Sequence, residues 1–203
     1  AVKPCKDAFS RAYLEARKTF PDEHGIYAVY DRALREDVTL FKNSNVPLET
    51  EDELLAQDFQ TLCAAMTIEF QGAERTMPQL AKFFLDPDRL LREAAWRATT
   101  TRRLEDRDWI NDIFDEMLSL RRRIAEHSGC ANFVDYQFRA LHRFDYTPRQ
   151  CGELHDAVER HVVPLLARLL EQRKKEMGLK ALRPWDVAVD SKARLQPGLF
   201  CVR

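Results

Sequence analysis

The side chains best suited to chemistry in this sequence are its histidines and cysteines. Histidines four residues apart on a helix lie on one face and can share a metal ion. No two histidines have that spacing here; the five are His24, His127, His142, His155 and His161. His155 and Glu159 do have it, but a catalytic zinc site needs three protein ligands, so a surface or packed pair is the favoured interpretation. The sequence therefore predicts no catalytic and no metal-binding residue.

The cysteines suggest packing more than catalysis. Cys151 precedes His155 by one helical turn, which would suit a thiol nucleophile with a base, but no third orienting group accompanies the pair. The cysteines are odd in number, widely spaced and without a C-x-x-C motif; they are Cys5, Cys63, Cys130, Cys151 and Cys201. A disulfide framework is not expected, and reduced thiols predict a cytoplasmic protein.

The charge balance argues against a nucleic-acid partner. The chain has 32 basic and 33 acidic residues and a net charge of -1, without the basic excess of a nucleic-acid binder. The arginine clusters at 102–103 and 121–123 have acidic neighbours, so ion-paired, solvated helix faces are expected there. Residues 1–20 lack a long apolar run, which predicts neither a signal peptide nor a membrane span.

The periodicity of apolar residues is helical along most of the chain. We predict a mainly α fold, a multi-helix bundle with one short β-hairpin, forming a single domain over residues 1–203. The hairpin is expected where apolar and polar residues alternate around Gly72, between Thr67 and Thr76. Residues 187–189 could form a strand edge or an extended tail.

Several local signals predict where helices begin and end. The second helix is expected to begin near Asp22, and S/T-x-x-E/Q capping boxes are expected at Thr50–Glu53 and Thr76–Gln79. The pair Asp86-Pro87 is expected to open another helix. Further along, we expect Gly129 to end a helix in a left-handed conformation and Pro164 to kink the longest one.

Three separated stretches carry a resemblance to a known family. They hold, in order, the sequences FLDPDR with REAAW, LRRRIA with SGCANF and DY, and RFDYTP with VVP and LRPWD; their first residues are Phe84, Leu120 and Arg143. Their order and spacing resemble the oligoendopeptidase F family of thimet-oligopeptidase-like zinc metallopeptidases. The likeness spans roughly residues 26–197 and concerns only the N-terminal helical part of such an enzyme.

The resemblance implies a mostly helical ellipsoid with a deep channel and a zinc ion held by H-E-x-x-H and a later glutamate. This sequence lacks that motif, and in the family the metal helix lies further on. We therefore expect the chain to form part of the substrate channel, to bind no zinc and to be inactive alone. The expected partners are short peptides, through the complete enzyme, and the C-terminal catalytic region.

Two further interpretations stay open at this point. The chain could be a stand-alone helical module that binds peptides or proteins, or it could assemble with a separate catalytic polypeptide. A peptide or a C-terminal lobe is expected to dock at the hairpin near Ile68–Thr76 or at the segment Arg143–Tyr146. A face intended for a missing lobe would be exposed and would favour self-association.

Overall fold

A computed structural model describes residues 2–190 and confirms the mainly helical fold with one two-stranded antiparallel sheet. The resemblance beyond residue 190, together with Cys201, lies outside the described residues. The helices and strands are α1 (Val2–Thr19), α2 (Ala28–Leu40), α3 (Val46–Ala65), β1 (Thr67–Phe70), β2 (Ala73–Thr76), α4 (Met77–Ala81), α5 (Arg89–Glu105), α6 (Arg107–His127), α7 (Phe133–Ala140), α8 (Pro148–Ala157) and α9 (Val163–Glu176).

Contacts divide the chain into two compact units. Unit 1 takes its described residues from Ala1–Gln57 and Ile113–His155, and unit 2 from Asp58–Asp112 and Asp156–Arg203. The chain passes between the units within α3, within α6 and at the end of α8. The single domain predicted over residues 1–203 stays a prediction.

Unit 1 is built from α1, α2, α7, most of α8 and parts of α3 and α6. Its best-buried apolar cluster joins Leu48, Leu120 and Ile124, with Leu55 and Tyr136 packed against it. Helix α1 contacts α2, and α2 contacts α7. Apolar side chains at helical spacing on α3 and α6 thus supply the core of this unit.

Two of the predicted helix starts in unit 1 are wrong. Helix α2 begins at Ala28, because the Asp22 carboxylate accepts the Tyr27 N–H at 2.6 Å and Gly25 turns the chain at φ 66°. Helix α3 begins at Val46, so Thr50 lies inside it, and its hydroxyl donates to the Val46 carbonyl at 2.9 Å.

The early start of α3 is explained by Pro47, which lies in its first turn. Proline fits the first turn of a helix, where its missing N–H would have no intrahelical partner. The chain makes a 3₁₀ turn over Asn43–Asn45 and enters α3 directly.

Unit 2 contains the predicted hairpin. Strands β1 and β2 pair with Thr67 opposite Thr76 and Phe70 opposite Ala73. Gln71 and Gly72 form the connection with φ values of 54° and 71°, as a two-residue hairpin turn requires. The predicted capping box at Thr76 is confirmed, since the Thr76 N–H donates to the Gln79 side chain at 2.9 Å.

Helix α5 begins two residues later than Asp86 would predict. Its N-cap is Asp88, which accepts the Leu90 N–H at 2.9 Å, while the Asp86 carboxylate accepts the Asp88 N–H at 2.8 Å. Asp88 therefore caps this helix, and Asp86 stabilises the turn that leads into it.

The long helical segment over residues 148–176 is interrupted just before Pro164, and the predicted kink itself stays a prediction. Residues Val158–Val162 form a π-helical turn in which the Val163 N–H donates to the Val158 carbonyl. Pro164 follows at once and cannot donate a backbone hydrogen bond, so the regular α pattern is not continued across it. The left-handed conformation expected at Gly129 is confirmed by its φ of 72°. Val187–Val189 form neither a strand nor a helix; a 3₁₀ turn over Pro184–Asp186 precedes them.

Candidate functional site

The most densely connected polar group in unit 2 is the buried carboxylate of Asp186. It is fully buried and accepts hydrogen bonds from Nε and Nη2 of Arg89 at 2.9 Å, from Arg92 at 3.2 Å and from the Arg183 N–H at 2.9 Å. The Arg173 side chain donates to the Asp186 carbonyl at 2.9 Å. We call these five residues the Asp186 cluster.

Arg92 is the second buried member of this cluster. Its guanidinium donates to the carbonyls of Trp185, Asp86 and Pro87 at 2.8–3.0 Å besides its bond to Asp186. Four of the five N–H donors of this guanidinium therefore meet an oxygen of unit 2.

The electrostatics of the Asp186 cluster favour an ionised carboxylate. Burial by itself would raise the pKa of Asp186, but hydrogen bonds from Arg89, the Arg183 N–H and Arg92 outweigh it and hold the pKa below its usual value. A carboxylate saturated in this way has no lone pair left for a metal or a proton transfer. The cluster ties the stretch around residue 185 to the start of α5, and its role is structural.

A buried asparagine plays a comparable part in unit 1. The Asn45 amide donates to the Ile124 carbonyl at 3.1 Å and to the Ser128 hydroxyl at 3.0 Å, and its oxygen lies 2.8 Å from His127 Nδ1. Ser128 in turn donates to the Leu40 carbonyl at 3.1 Å. These bonds hold the end of α6, which lies within the second recognised stretch.

Unit 1 also contains an open cavity of about 360 Å³ lined by charged and apolar side chains. Lys6 and His142 both bind Asp37, at 3.0 and 2.7 Å, and the Tyr136 hydroxyl donates to Glu49 at 3.2 Å. Burial and the Glu49 charge raise the pKa of Tyr136, so the phenol stays neutral at ordinary pH. The cavity pairs its charges internally and offers no nucleophile with a base.

The two predicted docking segments are each held by contacts within their own unit. Near the hairpin, the Phe70 ring lies 5.1 Å from the Phe83 ring in an edge-on arrangement. In the segment 143–146, the Arg32 guanidinium lies 4.3 Å above the Phe144 ring and 3.4 Å from the Asp145 carboxylate. These contacts do not show whether a peptide binds, so docking at either segment stays a prediction.

The remaining candidate side chains are not brought together. His24, His155, Glu159 and His161 are exposed, and Cys151 is half-buried on α8. Arg102 pairs with Asp106, as expected for an ion-paired helix face.

Among residues 2–190, no group of three or more His, Cys, Asp and Glu side chains could hold a metal ion. A zinc site, which needs three protein ligands, therefore does not fit the described residues. The prediction that this chain binds no zinc remains a prediction. No described helix is long and apolar enough to cross a membrane.

A row of apolar side chains on α9 and on the π turn before it is about half exposed. Side chains at spacings of four, three, one and three residues expose 41–54% of their surface along the π turn and α9; they are Val158, Val162, Leu165, Leu166 and Leu169. We call this set the apolar α9 face. No residue of α8, the π turn or α9 is buried.

Comparison with known proteins decides the family. Residues 83–197, which include the Asp186 cluster and the apolar α9 face, match Peptidase family M3. The chain belongs to that family. No curated protein sequence matches it.

Solved structures agree with the M3 assignment. An oligoendopeptidase F superposes on 91% of this chain with a TM-score of 0.86 and 26% identity, and PZ peptidase A, solved with an inhibitor, on 93% with a TM-score of 0.85 and 26% identity. An oligoendopeptidase F from Bacillus anthracis strain Ames shares the fold, with a TM-score of 0.80 over 91% of the chain at 24% identity. This chain spans only 33–35% of the length of those three proteins.

The residues that carry the resemblance to the M3 family are thus structural anchors in the described chain. Arg92 of the first stretch donates to the Trp185 carbonyl and to the Asp186 carboxylate of the third in unit 2, and Ser128 of the second accepts from Asn45 in unit 1. Sequence reasoning missed Arg89 and Arg92 as partners of Asp186, and the only signal was their placement within two recognised stretches.

Proposed function

We propose that this chain is the helical, substrate-channel-forming part of a zinc-dependent oligoendopeptidase that hydrolyses short peptides. The observation that carries the proposal is the match of more than half the chain to an M3 peptidase family, together with coverage of about a third of the related structures. The described residues contain no group able to hold a metal, so the zinc ligands are assigned to the rest of the enzyme.

The chain's own contribution is steric in this proposal. A wall of long helices beside the catalytic zinc limits entry to short, unfolded peptides, and the Asp186 cluster keeps part of that wall rigid. A rigid wall selects substrates by shape without contributing an acid, base or nucleophile. The chain alone is inactive in this proposal. The complete enzyme is a cytoplasmic peptidase in this proposal because its cysteines are expected to be reduced.

The first test is the nucleotide sequence downstream of the codon for Arg203. An open reading frame that reaches H-E-x-x-H and a later glutamate is the expected result. A stop codon there would contradict the proposal and favour a stand-alone helical binding module.

The second test is biochemical. The complete polypeptide and the 203-residue chain are purified in parallel, and zinc content is measured with cleavage of internally quenched peptides of different lengths. We expect chelator-sensitive cleavage of short peptides, and bound zinc, from the complete polypeptide alone. A His155→Ala variant of the complete polypeptide is the control, because His155 should not be a ligand: its zinc content should be unchanged.

A further inference from the structure

The apolar α9 face is an aliphatic surface that remains about half exposed in the described residues. Its five side chains are spaced so that they lie along one side of the helix. A helix of a globular protein normally buries such a stripe, and single exposed apolar residues need no explanation whereas contiguous ones do. Here the stripe continues over about three turns and no residue of α9 is buried.

The composition of the face distinguishes between kinds of partner. It consists only of valine and leucine, whereas surfaces for reversible protein binding are enriched in Tyr, Trp and Arg. Permanent interfaces are more apolar and resemble a domain core cut in half. The α9 face therefore has the chemistry of a surface that is always covered, and not that of a site that binds and releases peptides.

The length of the related peptidases indicates what covers the apolar α9 face. The related peptidases carry the counterpart of this region inside chains about three times as long, and α9 lies within the residues that match the family. Two thirds of such a chain must therefore pack somewhere around this third.

We propose that the apolar α9 face is the surface on which the remaining polypeptide of the peptidase docks. This inference rests on the proposed function, because it requires a longer polypeptide. It goes further by assigning the contact to one helix face and by describing its occupant as an aliphatic surface of the same polypeptide that buries Leu165, Leu166 and Leu169 permanently.

Thiol labelling of single variants tests this assignment. Leu166→Cys and Glu171→Cys are made in the complete polypeptide and in the 203-residue chain, and labelling by a maleimide is followed at each site by peptide mass spectrometry. The two positions are matched in exposure, at 51% for Leu166 and 49% for the Glu171 side chain, but point to different sides of α9.

The expected result is labelling at Leu166→Cys that is about tenfold slower or more in the complete polypeptide than in the short chain. Labelling at Glu171→Cys should be equally fast in both. Equal rates at Leu166→Cys in the two proteins would overturn the proposal. Slow labelling in the short chain that recovers on dilution would also overturn it, because a second copy would then cover the face.

A Leu166→Asp variant provides an independent measurement. In the 203-residue chain its folding equilibrium should change little, whereas in the complete polypeptide it should fall by about tenfold or more. No loss in the complete polypeptide would refute the docking surface even if peptidase activity is found. A complete polypeptide without zinc or activity would instead refute the proposed function, so the two failures are distinguishable.

Discussion

The Asp186 cluster and the apolar α9 face lie in the same unit but differ in burial: the charged group is buried and the apolar side chains are exposed. In the cluster, a fully buried carboxylate meets three N–H-bearing partners within unit 2. On the α9 face, five aliphatic side chains remain about half exposed. A buried charge needs hydrogen-bonding partners at the place where it is buried, because losing its hydration is costly. An apolar face can instead remain exposed until another part of the polypeptide covers it.

The comparison also shows that the most recognisable residues hold the chain in place. Asp186, Arg92 and Trp185 fix the path of the chain, and the described residues contain no metal-binding group. The recognised stretches mark places where the backbone needs a particular side chain to satisfy it, which is a requirement of the fold.

The largest expected effect comes from removing the buried charge. Asp186→Ala leaves the 2%-exposed Arg92 without its carboxylate, and we expect a loss of about 3–5 kcal/mol in the free energy of unfolding. Urea denaturation followed by circular dichroism measures it. Asp108→Ala is the matched control, since both partners of the Arg107–Asp108 pair are exposed, and it should cost less than about 1 kcal/mol. Similar losses for the two variants would mean that the cluster is not a structural anchor.

A pair of leucines tests the contrast between covered and uncovered apolar surface. Leu80 is fully buried, so Leu80→Ala should destabilise the 203-residue chain by about 2–5 kcal/mol. Leu166 is 51% exposed, so Leu166→Ala should change its stability by about 0.5 kcal/mol or less. The same urea titrations give both values. A large loss for Leu166→Ala would show that the short chain already covers the α9 face, alone or as a dimer.

The buried amide of unit 1 should be less costly to remove than the buried charge of unit 2. Asn45→Ala leaves the Ile124 carbonyl and the Ser128 hydroxyl without the amide, with an expected loss of about 1–3 kcal/mol. Asn43→Ala, at an exposed position two residues earlier, is the control. An equal loss of unfolding free energy for Asn45→Ala and Asp186→Ala would show that the buried charge does not make Asp186 more important for stability than Asn45.

The smallest effect is a dependence on pH. The pKa of Asp186 is lowered on folding, so the stability that its ionised form contributes is present above the ordinary carboxyl value of about 4 and is lost as the pH falls through the folded-state pKa. The difference in unfolding free energy between the native chain and Asp186→Asn should therefore be constant near neutral pH and become smaller below about pH 4. A difference that stays constant into acid would contradict an ionised Asp186.

Much of the local structure was accessible from the sequence. The hairpin around Gly72, the capping box at Thr76, the turn at Gly129 and the interruption at Pro164 were all predicted, because each depends on one or two residues with a strong backbone preference. The predicted capping box at Thr50 was wrong because the same residue types also occur inside helices, where Thr50 bonds to the preceding turn.

The sequence by itself determined the helical fold class and the family, since periodic apolar positions and the order of short motifs are properties of the chain. Only the tertiary structure decided that Arg89 and Arg92 bind Asp186 across more than ninety residues, and that the aliphatic stripe on α9 stays uncovered. The physical reason is that periodicity shows which side of a helix is apolar, whereas the partner that buries it or pairs a charge is set by contacts between distant segments.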